Sequence, residues 1–182
     1  TAGVCALPLG NVDYYLAGTD TRPVVGVNYG MATTFCSWDG GRLLPTEAQW
    51  EKAARGPAPR TVWNPWGNSG GTCEQCWAYD CQPFGEHHSY DVGTHPLGAS
   101  YYGVQDMAGN VSELVRDWFS DVYYASSPTF DPPGPEFGTY RVSRGKKWEE
   151  YLSVFYNTAV SRRMADPSTT GTSLRFRCAR PG

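Results

Sequence analysis

Three of the six cysteines in this 182-residue chain are close neighbours. Cys73-x2-Cys76-x4-Cys81 lies in a loop-like stretch, with His87, His88 and His95 shortly after it. Thiolates at x2 spacing can share a tetrahedral zinc ion, with Cys5 or one of these histidines as the fourth ligand. The same cysteines also read as one or two disulfides or as free thiols, since no second CxxC stands at finger spacing. A second ligand-rich stretch runs from Gly103 to Glu113. There the carboxylates of Asp106 and Glu113, with main-chain carbonyls between them around a glycine, can wrap a calcium ion. The plainer reading is that Asp and Asn in such turns bond their own backbone. Asn110-Val111-Ser112 also matches a glycosylation acceptor, a pattern common by chance.

No catalytic set announces itself. The three histidines lie between positions 87 and 95, and no G-x-S-x-G nucleophile motif accompanies them. No phosphate-cradling glycine loop and no HExxH occur. Glu149 and Glu150 are adjacent, but neighbours in a strand point to opposite faces and do not share one reacting centre.

Composition narrows the classes. The net charge is -3, and the basic residues are scattered among acids, which argues against nucleic acid as a partner. No apolar run reaches the roughly 18 residues that a membrane-spanning helix needs, so no membrane insertion is expected. Thr1 is not a methionine, which points to a processed chain or a piece of a longer one. Seven tryptophans, twelve tyrosines and seven phenylalanines stand beside 21 glycines and 14 prolines. That mixture fits long loops pinned by rings, and it fits a recognition surface, because Tyr and Trp give contact area at low entropic cost.

The elements that must position these residues are short. Residues 1–25 read as a loop-like N-terminal segment, and residues 26–182 as one domain. Asn28 to Trp38 predicts a helix with Met31, Phe35 and Trp38 on its apolar face, stopped by Gly40-Gly41. Thr46 and Gln49 form a capping box for a second helix that ends at Gly56. From Gly56 to Ser100 no period survives. Strands are expected at Tyr101–Gln105, Ser112–Trp118, Tyr140–Arg144, about Ser153–Ser161 and Ser173–Ala179. The last alternates, with Leu174, Phe176 and Cys178 on one face and Arg175 and Arg177 on the other. Cys36 and Cys178 both face inward on this reading, so a disulfide closing a loop of about 140 residues is open to them. Two short helices, scattered strands and long coil make an α+β fold in one domain.

Several stretches together resemble a known family. PVVGVNYGMATTFCSWDGGRLLPTEAQWEKAARG (23–56), WNPWGN (63–68), YGVQDMAGNVSELVRDW (102–118), RVSRG (141–145) and SLRFRCAR (173–180) are similar to the formylglycine-generating-enzyme-like (sulfatase-modifying factor) domain. The resemblance covers most of the chain; the stretch before Pro23 matches poorly, which suggests a missing upstream part. It implies a C-type-lectin-like fold with short antiparallel strands and extensive coil. It implies a disulfide between Cys36 and Cys178. It also implies a structural calcium at Asp106, Gly109, Val111 and Glu113, the middle two through their carbonyls.

The departures matter as much. Family members read roughly GNVWEW where this chain has GNVSEL (109–114), and RGGSW where it has RGKKW (144–148). The family's formylglycine-generating enzymes carry two copper-binding cysteines shortly after that point, whereas residues 145–167 contain none. Hard or apolar side chains cannot replace a soft thiolate site, so the oxidase chemistry is expected to be lost. The chain is also similar to the variable proteins of diversity-generating retroelements, in which a mutagenised C-terminal stretch on this scaffold binds ligand. That likeness implies a phage-particle or cell-surface setting and a protein or cell-surface partner. Here the corresponding region is about 146–172. Its expected contact residues are Lys147, Trp148, Glu149, Tyr151, Leu152, Ser153, Phe155, Tyr156, Asn157, Arg163 and Met164. Aromatic anchors among adaptable polar groups suit protein recognition. Mutation of the adenines of an AAY codon gives Tyr, Leu, Ser, Phe, Asn or Arg, whereas Glu149, Glu150 and Met164 need other template codons. The reading is therefore of a non-catalytic binding module. The alternatives are a metal-dependent oxidase or sulfur-transfer oxygenase of the same superfamily, and an accessory domain fused to a kinase or sulfatase partner.

Overall fold

The computed structural model describes residues 21–59, 61–84, 88–154 and 158–180. Helix α1 spans Tyr29–Trp38, and its N-cap Asn28 accepts the Met31 N–H at 3.0 Å. Its buried residues are Ala32 and Cys36, while Phe35 is 40% and Trp38 74% exposed. The expected Met31–Phe35–Trp38 stripe is therefore not the buried one. Small Ala32 and Cys36 let the helix approach the sheet closely, and the rings sit around the contact, with Phe35 edge-on to Phe176 at 5.5 Å.

Helix α2 spans Glu47–Arg55 and carries the expected capping box. Thr46 Oγ1 accepts from the Gln49 N–H and Gln49 Oε1 accepts from the Thr46 N–H. Gly56 ends it at φ 87°, a left-handed conformation that favours glycine.

Four strands form one sheet in the order β3-β2-β1-β4: β1 Ser112–Trp118, β2 Arg141–Arg144, β3 Arg162–Ala165 and β4 Leu174–Phe176. The β1–β2 and β2–β3 pairs are antiparallel, but β1 and β4 run parallel, so the sheet is mixed. Tyr101–Gln105 is a turn, closed by the Gly103 N–H on the Ser100 carbonyl and the Ser100 N–H on the Val104 carbonyl. Among the described residues of the strand expected at 153–161, none is in a strand. Leu152–Val154 is a 3-10 turn, and the Thr158 and Ala159 N–H groups bond Asn64 Oδ1 and the Trp63 carbonyl instead of a ladder. Satisfied that way, these two amides need no strand partner.

The sheet has two differently covered faces. Trp50, Ala54, Met107, Val115, Val142 and Ala159 form a core beneath α2. Ala32, Cys36, Leu44, Leu114 and Ala165, with Leu174, Phe176 and Cys178 beside them, form the core beneath α1. Cys36 and Cys178 are joined in a disulfide, Cα–Cα 5.4 Å, between α1 and the segment after β4.

Candidate functional site

Alternation along the strands sorts the charged residues. On the α2 face, Glu47 is 2% exposed and receives Arg144 Nη1 at 3.1 Å and Arg162 Nη2 at 2.8 Å. Arg144 also donates to Glu51 Oε2 and the Ala159 carbonyl. Glu113 is 1% exposed, and Arg175, Arg177 and the Trp50 indole N–H all donate to it. Burial pushes the Glu113 carboxyl up, but Arg177 and then Arg175 outweigh it and hold the group at about 2. Arg175 and Arg177 are braces for the sheet.

Asp117 shares this face and behaves oppositely. Its Oδ2 accepts the Glu47 N–H at 2.8 Å, while its buried Oδ1 has no partner. Burial, with the nearby Glu47 charge adding to it, raises its carboxyl to about 6. A carboxyl raised on folding contributes stability fully present below its unfolded value and lost as pH rises through about 6. Asp117→Asn, which keeps the acceptor for Glu47, should therefore be stabler than the parent at pH 7 by about 2 kcal/mol, with the gap closing by pH 4. Urea titrations at the two pH values check this.

The α1 face is not fully covered. Beyond the end of the apolar contact an open groove of about 270 Å³ remains, floored by Ser112, Ser143 and Leu174. One wall is Lys147 with Arg163 and Met164, and the other is the segment from Asp166 to Ser173. That second wall is tied down by the Tyr29 N–H on the Pro167 carbonyl, the Gly26 N–H on the Gly171 carbonyl and the Ser112 N–H on the Ser173 carbonyl. Beside the groove runs the strip after β2. The chain leaves β2 through Gly145 at φ 78°, where an added Cβ would meet the Met107 carbonyl at 3.1 Å. The strip is then a loop bound at several points. The Trp148 N–H bonds the Asn110 carbonyl, the Tyr79 N–H bonds the Glu150 carbonyl, and the Leu152 N–H bonds Asp80 Oδ1.

Of the expected contact residues, Glu149, Tyr151, Ser153 and Met164 are exposed, and Lys147, Trp148, Leu152 and Arg163 are half-buried. Phe155, Tyr156 and Asn157 lie outside the described residues. The groove gathers Lys147, Arg163 and Met164, whereas Trp148, Glu149, Tyr151, Leu152 and Ser153 do not line it. Its cations are internally balanced: Lys147 pairs with Glu149, and Arg163 forks onto both oxygens of Glu150. Burial raises the Glu150 carboxyl, but Arg163 and the Lys147 N–H outweigh it and keep it below its usual range. Such a surface can offer a guanidinium, an ammonium, hydroxyls and a tyrosine ring to a partner. Ser112, Ser143 and Ser173 lie outside the expected 146–172 region, and Asp166, Thr169 and Gly171 lie within it without having been expected as contacts. The buried ion pairs had a signal, since Arg144 falls at the same alternation phase as Val142.

The metal expectations meet specific obstacles. Cys73 and Cys81 are joined in a disulfide, Cα–Cα 5.3 Å, which corrects the zinc reading of Cys73, Cys76 and Cys81. Disulfide sulfurs are not thiolates, and burial pushes the Cys76 thiol up to about 12. Cys5 and His87 lie outside the described residues, and His95 sits beside Trp77 and Tyr90. Among the described residues no group of three His, Cys, Asp or Glu side chains is placed to hold a metal ion. The calcium positions Asp106, Gly109, Val111 and Glu113 do not fit that ion either. Both Glu113 oxygens are taken by guanidinium groups, and Asp106 Oδ2 accepts the Gly93 N–H. Calcium would have to displace an arginine, so 5 mM EDTA (about that concentration) should leave the melting temperature unchanged in differential scanning calorimetry.

The sulfatase-modifying factor enzyme 1-like domain model matches residues 1–181. The chain belongs to this family. Among its relatives, formylglycine-generating enzyme of Streptomyces coelicolor is 37% identical over 172 residues, covering 90% of this chain and 54% of that protein. The mouse protein named inactive C-alpha-formylglycine-generating enzyme 2 is 33% identical over 165 residues, covering 86% of this chain and 48% of that protein. The domain thus spans about half the length of these curated relatives. Its fold superposes on Treponema denticola variable protein 1 with a TM-score of 0.71 at 26% identity, over 91% of this chain and 74% of that one. The expected α+β, C-type-lectin-like class is the one found. No helix among the described residues is long and apolar enough to cross a membrane.

Proposed function

We propose that this domain is a non-catalytic recognition module of the variable-protein kind, which binds a protein or cell-surface ligand along the groove and the 146–172 strip. One observation carries the reading. The stretch where formylglycine-generating enzymes of the family hold their reactive cysteines is here free of cysteine, with Glu149, Tyr151, Ser153 and Met164 exposed. The fold likeness to Treponema denticola variable protein 1 supports it. So does the division of labour in the sheet. Buried ion pairs on the opposite face of the sheet and two disulfides hold the scaffold, while the strip's exposed side chains make few contacts that the fold depends on. Rigid support beneath adaptable side chains lowers the ordering cost of binding.

A test separates this reading from the family's oxidative chemistry. Purified protein supplied with copper or iron and a cysteine-containing peptide should consume no oxygen above the protein-free control. Metal-dependent turnover of oxygen would overturn the proposal. Peptide turnover is read directly by mass spectrometry, so adventitious metal oxidation is not mistaken for catalysis.

A further inference from the structure

The strip takes its order from a neighbouring loop. Between β2 and residue 154 its backbone joins no strand, and apart from the Trp148 N–H on the Asn110 carbonyl its main-chain ties to other segments run to residues 79–82. The Tyr79 N–H donates to the Glu150 carbonyl at 2.9 Å, and the Leu152 N–H donates to Asp80 Oδ1 at 2.8 Å. Gln82 Nε2 donates to the Trp148 carbonyl at 3.0 Å, and the Tyr79 and Tyr151 rings meet at 4.7 Å. Leu152 also packs against the cluster of Cys76, Ala78 and Cys81. The supporting loop has little structure of its own, a single 3-10 turn at Tyr79–Cys81. Such a turn is held by its surroundings more than by its own bonds. What closes the loop is the Cys73–Cys81 bridge, across a sequence separation of 8.

We propose that the Cys73–Cys81 disulfide is a redox control on the recognition strip, and that a dithiol opening this bridge loosens residues 151–154. The proposal rests on the strip being the recognition face, and it adds the means by which that face is regulated. The chemistry balances with one named reductant. A dithiol thiolate attacks Cys73 or Cys81, its second thiol resolves the mixed disulfide, and two electrons and two protons pass to the protein. The products are two cysteine thiols and the oxidised, cyclic reductant. Access selects this bridge over the other, because Cys73 is exposed whereas Cys36 is 0% exposed beneath α1. Cys76 stays out of the exchange while the loop is closed, since it is 1% exposed and protonated.

The arrangement contains its own control. Leu152 hangs on Asp80, inside the bridged loop, but the Trp148 N–H hangs on the Asn110 carbonyl, outside it. Graded dithiothreitol, with peptide mass spectrometry to follow each bridge, should open Cys73–Cys81 before Cys36–Cys178. At that point amide exchange at Leu152 should quicken about tenfold, while exchange at Trp148 stays within about twofold. Cys73→Ser combined with Cys81→Ser should reproduce the pattern without reductant. If that variant misfolds by circular dichroism, the titration of the parent protein still decides the matter. Unchanged exchange at Leu152 with the bridge open, equal quickening at Trp148, or prior opening of Cys36–Cys178 would overturn the proposal. Exchange is read with no ligand present, so oxygen turnover that sinks the recognition reading leaves this result to be judged separately.

Discussion

Glu113→Gln is expected to lower the unfolding free energy by about 3–5 kcal/mol, the largest loss from any single substitution considered in this domain. The amide has nearly the shape of the carboxylate, so the cost is electrical and not one of packing. In the parent, Glu113 is 1% exposed and neutralises Arg175 and Arg177, which hold β4 and its continuation against β1. The variant leaves two guanidinium groups facing a neutral amide in a place that water barely reaches. Arg175→Met removes one cation and keeps the Arg177–Glu113 pair, so it should cost roughly half as much. Acid should mimic the loss. Glu113 is held down to about 2, so its contribution is present above its unfolded value near 4.5 and disappears as pH falls through 2. Urea midpoints for parent and both variants at neutral pH, and for the parent down to pH 2, measure this. A Glu113→Gln variant within about 1 kcal/mol of the parent would show that the pair is not carrying β4.

Removing the Cys36–Cys178 bridge comes next. It joins residues separated by 142 positions, and the chain-entropy relation for a loop that long gives about 5 kcal/mol. For a domain of this size that corresponds to roughly 10–20 °C in melting temperature. Both sulfurs sit among Ala32, Leu44 and Leu174, so Cys36→Ala with Cys178→Ala also leaves a small void in the α1 core. The double variant should therefore melt lower without losing its sheet, which far-ultraviolet circular dichroism follows alongside calorimetry. A shift under about 5 °C would mean that the unfolded chain is already restrained.

Much of this was legible in the residues themselves, for reasons that differ by element. Thr46 and Gln49 announced α2 because capping is a local reaction between side chain and backbone. Strands β1 and β2 and the alternating Leu174–Phe176 end were also local patterns. Helix α1 lies where its sequence predicts, with a different face buried. Its largest side chains suggested the buried face, whereas close approach to the sheet selected Ala32 and Cys36. Val154, Tyr156 and Thr158 alternate as a strand would, but Asn64 and Trp63 capture the Thr158 and Ala159 amides from a loop more than 90 residues away. No local pattern can foretell that. The cysteine triplet and the Asp106–Glu113 stretch failed as metal sites for a related reason. The competing partners, a second cysteine of the triplet and the arginines on and just after β4, were decided by the fold. The groove was half-visible. The strip stood out by its mixture of residues, while its floor of Ser112 and Ser143 comes from strands that only the sheet brings together.

Whether residues 146–172 are a variable recognition face on this fixed scaffold is read from the DNA that flanks the gene. A near-copy of the segment coding for residues 141–180 is expected close to a reverse transcriptase gene. Its differences from the gene should fall at adenines of the copy, in codons for exposed positions such as Tyr151 and Ser153, and should spare those for Arg144, Arg175 and Cys178. An uninterrupted flank with no such copy, in a protein that turns over oxygen with copper or iron, would contradict it.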